Sequence, residues 1–140
     1  MPATIGEYVP MKRLLLALSL AAAPLAASAE WIEIGASADE VFYMDGSSLR
    51  RDGGSAQVWL LADMHVPEQL PQGQWYQSHR TLWQVDCDQD RVKRVRRTLH
   101  FGKMGVGDAV APPSSEGEWL PAPTGTLMAL VVGLACSATG

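Results

Sequence analysis

Cysteine is scarce in this chain: two residues in 140, Cys87 and Cys136, with no C-x-x-C spacing, which excludes a thioredoxin-type redox pair and a zinc knuckle. Positive charge is also short. With 11 basic against 15 acidic residues, no global field draws the chain toward a nucleic-acid backbone, so no nucleic-acid partner is expected. Long hydrophobic runs are missing, because the apolar stretch at residues 14–23 is stopped by Pro24, short of the roughly 20 residues that a membrane-spanning helix needs. No internal repeat is apparent, and low complexity is confined to that stretch and a Pro/Ser segment at 112–115. What remains is a chain of 47% hydrophobic residues, of a length suited to one folded domain.

The amino-terminal stretch reads as a targeting segment. Met11-Lys12-Arg13, the apolar run after it and Ala27-Ser28-Ala29 have the charged, greasy and small-residue parts of a secretory signal peptide. Residues 1–29 are therefore expected to be removed, with translation starting at Met11 and a domain at 30–140. A lipoprotein would need cysteine at the cleavage point, where Glu30 stands, so no stable membrane anchor is expected and the location is periplasmic or secreted. Residues 30–140 hold nine basic and fourteen acidic residues, a net of −5. In an oxidising compartment the two cysteines have one intramolecular pairing, Cys87–Cys136.

Residues 31–34 and 40–44 read as short strands, with Asp45-Gly46 as a tight hairpin turn and 47–51 as the return strand. Asp52-Gly53-Gly54 is the next turn, and 56–64 is a strand rich in Val, Trp and Leu. A loop at 65–74 carries Pro67, Pro71 and Gly73. Two long strands then follow, 75–87 and 91–101, joined at Asp88-Gln89-Asp90. Residues 106–111 form a short strand, and a loop reaches Trp119. Thr124 or Thr126 caps a helix over 127–136, apolar nearly all round and so suited to burial. The fold class is α+β: an antiparallel sheet of about six strands, with a C-terminal helix packed on one face and tethered by the disulfide.

Alternation along the strands assigns the faces. If Cys87 looks toward the helix, so do Val85, Trp83 and Thr81, and the apolar set Val58, Leu60, Ala62 and Met64 joins them. Trp59 and Leu61 then point the other way, together with Leu82 and Tyr76. These four either form an outer apolar patch, a candidate dimer face, or are covered by loops or a strand bend.

Several landmarks resemble one family in order along the chain. They are Phe42-Tyr43-Met44-Asp45 with Ser47-Ser48-Leu49-Arg50-Arg51, Val58-Trp59-Leu60, the strand Ser78 to Cys87, Gly102-Lys103-Met104-Gly105 through Val110, Trp119-Leu120-Pro121, and Pro123 to Cys136. Together they are similar to the surface-adhesin protein E family of small exported bacterial proteins. The resemblance implies an antiparallel sheet with a disulfide-tethered helix. It also implies a non-enzymatic binding role, with dimerisation and host matrix or serum glycoproteins as partners.

No constellation amounts to an active site. Ser78 and His79 are adjacent in a strand and point to opposite faces, so they cannot form a relay toward Asp86. Asp86-x-Asp88-x-Asp90 begins like a calcium loop but has Arg91 and Arg97 where Gly and Glu are required. His65, His79 and His100 lie in separate segments, and Glu116 and Glu118 sit in a polar loop. No catalytic residue, metal or cofactor is expected. Five of the basic residues, Arg91, Lys93, Arg94, Arg96 and Arg97, fall within seven positions. By parity 91, 93 and 97 share one face and 94 and 96 the other. The stripe is either a charged sheet edge that discourages aggregation or a site for an acidic glycan, headgroup or protein. The favoured reading is an exported interaction module with a homodimer among its expected states, and the alternative is a small-ligand carrier holding haem or another hydrophobe against the tryptophans.

Overall fold

The computed structural model describes residues 29–112 and 116–138; all but the last residue of the expected signal segment at 1–29, the start at Met11 and residues 113–115 of the Pro/Ser loop lie outside them. The strands are β1 (Trp31–Ala36), β2 (Glu40–Asp45), β3 (Arg50–Asp52), β4 (Ser55–Gln69), β5 (Trp75–Asp86), β6 (Arg91–His100), β7 (Ala109–Val110) and β8 (Leu120–Pro121), followed by helix α1 (Leu127–Ser137). They make one antiparallel sheet in the order β1-β2-β4-β5-β6-β7, with β3 paired to β4 and β8 to β6.

β4 and β5 are the centre because their apolar residues alternate over the longest runs. Val58, Leu60, Ala62 and Met64 are buried, as are Thr81 and Val85, which agrees with the expected inner face. α1 lies across this face. Thr126 caps it, its hydroxyl accepting from the Ala129 amide and donating to the Pro123 carbonyl. Val131, Val132 and Ala135 are buried against Ala56, Val85, Val92, Val58 and Leu60, with Trp83, Leu49 and Met128 packed between them. The Cys87–Cys136 disulfide closes the end of the helix onto the β5–β6 turn, with Cα atoms 5.6 Å apart. One side of α1 stays outside, where Leu130 and Leu134 are exposed, so a helix apolar all round is buried on one side only.

Several expected elements fall differently. Asp45-Gly46 does not turn β2 back on itself: Asp45 has φ −85°, and Gly46 is not in the left-handed region that a tight I′ hairpin demands. The buried Asp45 carboxylate instead accepts from the Ser47 amide and hydroxyl and from the Glu30 amide, which winds Gly46–Ser48 into a 3-10 turn. The chain then runs on as β3 along the same edge of β4. β2 pairs with β1 and β4, not with residues 47–51.

β4 also outruns its expected end at 64, reaching Gln69 through a register shift between Asp63 and Glu68. Pro67 lies in that irregular stretch, where the ladder does not need its missing N–H. The short strand expected at 106–111 shrinks to Ala109–Val110, because Gly102–Gly107 folds into a compact turn with Met104, Gly105 and Gly107 at positive φ. β8 was not foreseen. It forms because Leu120 and Pro121 reach the edge of β6 opposite Val92 and Arg91.

Candidate functional site

The face of the sheet opposite α1 collects tryptophan and arginine. One row starts with Trp31 opposite Asp45 on β1 and β2, and Trp59, Leu82 and Arg96 stand opposite one another on β4, β5 and β6. The next holds Glu33, Tyr43, Leu61, Arg80 and Thr98. From its row Arg80 reaches both tryptophans of the first, its guanidinium carbon 5.4 Å from the Trp31 ring centroid and 5.1 Å from that of Trp59. Further along β6, Arg91 and Lys93 lie 4.6 Å and 5.3 Å from the Trp119 ring. In each pair the cation lies within reach of the ring face, whose quadrupole attracts positive charge.

The basic stripe is divided differently from the expected parity. Trp83 pairs with Arg94 but Leu82 with Arg96, so Val95 is an extra residue in β6 and every position beyond it changes face. Arg91, Lys93 and Arg96 therefore lie on the outer face, opposite Asp86, Gln84 and Leu82. Arg94 and Arg97 lie on the helix side, opposite Trp83 and Thr81. Arg91 is held by Asp86 at 2.8 Å and Lys93 by Glu116 at 3.2 Å, while Arg96 is exposed. The Arg91 bond holds the Asp86 carboxyl below its ordinary pKa.

The four residues of the expected outer patch are not brought together on an open surface. Trp59 and Leu82 are half-buried, but Leu61 is fully covered. Its lid is the 3-10 turn Lys103–Gly105. Lys103 pairs with Asp63 at 3.2 Å, the Met104 amide donates to Asp63, and the Gly105 amide donates to Ser78 Oγ, which itself donates to the Gly102 carbonyl. Tyr76 leaves the outer face altogether. The register shift in β4 turns this end of the sheet, and Tyr76 is buried with Met64 and Leu99 while its hydroxyl donates to Glu68.

Ser78 thus lies under the turn on the outer side, while His79 pairs with Ala62 and Leu99 on the helix side. His79 is half-buried there, with Nε2 3.6 Å from Glu40, and desolvation together with Arg97 pushes its pKa down to about 4. Burial raises the Glu40 pKa, and Glu68 adds to it. Burial raises that of Tyr76 to about 12, with the Glu68 hydrogen bond adding to it. Among the described residues no three or more His, Cys, Asp or Glu side chains gather as a metal site. Asp86 accepts from the Asp88 and Gln89 amides, so the aspartate run is a turn that caps its own backbone.

Sequence reading missed Trp31, Arg80 and Trp119 as members of the outer face. Arg80 was within reach of it, since it shares strand parity with Leu82. The positions of Trp31 and Trp119 follow from edge pairings that no periodicity announces.

These features define a class of protein, a small antiparallel sheet with one disulfide-tied helix on one face and an aromatic and basic surface on the other. The chain belongs to the family described as Surface-adhesin protein E, which it matches over residues 31–137. Its fold is similar to that of protein E from Haemophilus influenzae, with a TM-score of 0.65 at 16% identity, covering 76% of this chain and 83% of the other. A second crystal form of that protein gives 0.62 at 14% identity, covering 76% and 96%. No curated protein sequence matches.

Proposed function

We propose that this chain is an exported, non-enzymatic interaction module of the cell envelope that binds a polyanionic partner, an acidic glycan or an acidic protein surface, through the outer face of its sheet. The observation that carries this reading is the interleaving of Arg80, Arg91, Lys93 and Arg96 with Trp31, Trp59 and Trp119 on that face. Planar rings offer contact area to sugars or apolar side chains, and the cations beside them select for negative charge. The net charge of the chain is negative, so attraction to a polyanion has to come from this local cluster.

Membership of the adhesin family supports a surface role, and host matrix glycoproteins are the partner class which that membership brings to mind. The disulfide fits an oxidising compartment outside the cytosol, and among the described residues no helix is long and apolar enough to cross a membrane. Trp59 and Leu82 remain half-exposed on the same face, and a second copy of the chain is an alternative partner for them.

The test is retention on immobilised heparin across a salt series. The wild type is retained and elutes with rising salt, whereas the double variant Lys93→Glu/Arg96→Glu flows through. Unchanged retention of the double variant removes the reading. Native mass spectrometry of the same samples reports whether a second copy is bound.

A further inference from the structure

Arg80 is held differently from the other cations of the outer face. Arg91 and Lys93 are each committed to a carboxylate, and Arg96 is exposed. Arg80 is half-buried, with the ring faces of Trp31 and Trp59 5.4 Å and 5.1 Å from its guanidinium. Its stem runs so close to the Lys103–Gly105 turn that a Cβ at Gly105 would meet its Cδ at 3.1 Å. The side chain is therefore placed before any partner arrives, which spares the ordering cost of binding through a free arginine. Its charge is also unanswered. Among the described residues Arg80 makes no ion pair and no side-chain hydrogen bond. Nε is shut in, but the two terminal nitrogens are not, and they are the part that can meet a ligand. The covered carboxylates of this face are engaged elsewhere: Asp45 accepts from the Glu30 and Ser47 amides, and Asp63 pairs with Lys103. Glu33 is exposed and forms no ion pair with Arg80.

We propose that Arg80 takes a carboxylate and that the carboxylate belongs to a uronic-acid glycan, an assignment that rests on the reading of the outer face as a polyanion site. The guanidinium presents parallel N–H donors in one plane and a carboxylate two acceptors in one plane, so the pair closes as a flat unit. Flatness matters beside two indoles. A sulfate carries a further oxygen out of that plane, and the negative face of an aromatic ring repels it. The rings also choose between sources of carboxylate. A uronic acid carries its carboxylate directly on the sugar ring, so that ring comes within reach of Trp31 and Trp59 when Arg80 is engaged, whereas an Asp or Glu side chain brings only one or two methylenes.

The experiment is an NMR titration of the oxidised protein, following the indole N–H signals of Trp31 and Trp59, with Trp83 on the helix side as the reference. The ligands are a hyaluronan tetrasaccharide, its methyl ester, a keratan sulfate tetrasaccharide, which has sulfate and no carboxylate, and tetraglutamate. The hyaluronan tetrasaccharide shifts both outer indoles, leaves Trp83 unmoved, and binds roughly tenfold tighter than its ester, as a charge-assisted bidentate pair requires. Keratan sulfate and tetraglutamate bind more weakly than hyaluronan. Arg80→Lys keeps the charge without the fork and loses the preference for acid over ester. Equal binding of acid and ester, of sulfate and carboxylate, or of tetraglutamate and hyaluronan each overturns the assignment, as does an unchanged preference in Arg80→Lys. The ester comparison uses the wild type alone, so the outcome does not hang on the folding of a variant. Wild type that flows through immobilised heparin removes the reading of the whole face and this assignment with it; wild type that is retained there yet does not prefer acid to ester removes only the assignment to Arg80.

Discussion

His79 illustrates how one position acquires unusual chemistry from the residues around it. Burial and the charge of Arg97 hold its pKa near 4, so it folds neutral, whereas in the unfolded chain it titrates near 6.5. The unfolded state therefore binds more protons between those values. The stability that His79 contributes is fully present above about pH 6.5 and is lost as the pH falls toward 4. His100, also lowered by burial, works in the same direction, and Glu40, raised by burial, opposes both below neutral pH. Urea denaturation at pH 7 and pH 5 is expected to show a loss of roughly 2 kcal/mol on acidification, most of which disappears in His79→Gln.

Leu61 tests a different residue-scale point. Because the Lys103–Gly105 turn buries it completely, Leu61→Ala is expected to cost roughly 3 kcal/mol in the same assay, against under about 1 kcal/mol for the half-exposed Leu82→Ala. The direction in which Leu61 points was legible in the sequence, from alternation along β4. Cover by a loop was one of the two readings the sequence left open, but which loop was not legible, because the lid is held by hydrogen bonds between Ser78 or Asp63 and a turn about 25 to 40 residues away in the chain.

At the scale of elements, the disulfide decides how firmly α1 is held. The helix has no charged residue and no amphipathic pattern of its own, and it relies on Val131, Val132 and Ala135 together with the bond from Cys136 to the β5–β6 turn. Linking positions 49 residues apart removes loop entropy worth about 4 kcal/mol in the chain-entropy view. The double variant Cys87→Ser/Cys136→Ser is expected to lose up to that amount in chemical denaturation, and its α1 amides to exchange hydrogen faster than those of β4. Both the helix and the disulfide were legible, the first from its Thr cap and apolar run, the second because two cysteines allow a single pairing. Strand parity failed at two places. An extra residue at Val95 reverses Arg97, and the shift between Asp63 and Glu68 redirects Tyr76, because alternation holds only while the ladder is regular.

For the molecule as a whole, these irregularities decide which charges can act together. A flat count of the stripe gives five basic residues in one segment, but the folded sheet places Arg91, Lys93 and Arg96 on the tryptophan face and Arg94 and Arg97 on the side of the helix. Arg80 joins the first group from β5 by stacking between Trp31 and Trp59. A polyanion lying on that face can meet all four of those cations at once and cannot also meet Arg97, which is separated from it by the thickness of the sheet. Reversal of two outer charges, Lys93→Glu/Arg96→Glu, is therefore expected to abolish heparin retention and flatten its salt dependence. A single helix-side reversal, Arg97→Glu, is expected to leave the elution salt within about a tenth of the wild-type value, because screening and distance leave little attraction through the sheet. If Arg97→Glu weakens retention as much as the outer pair does, the attraction follows net charge and not the face, and the division imposed by Val95 has no part in binding.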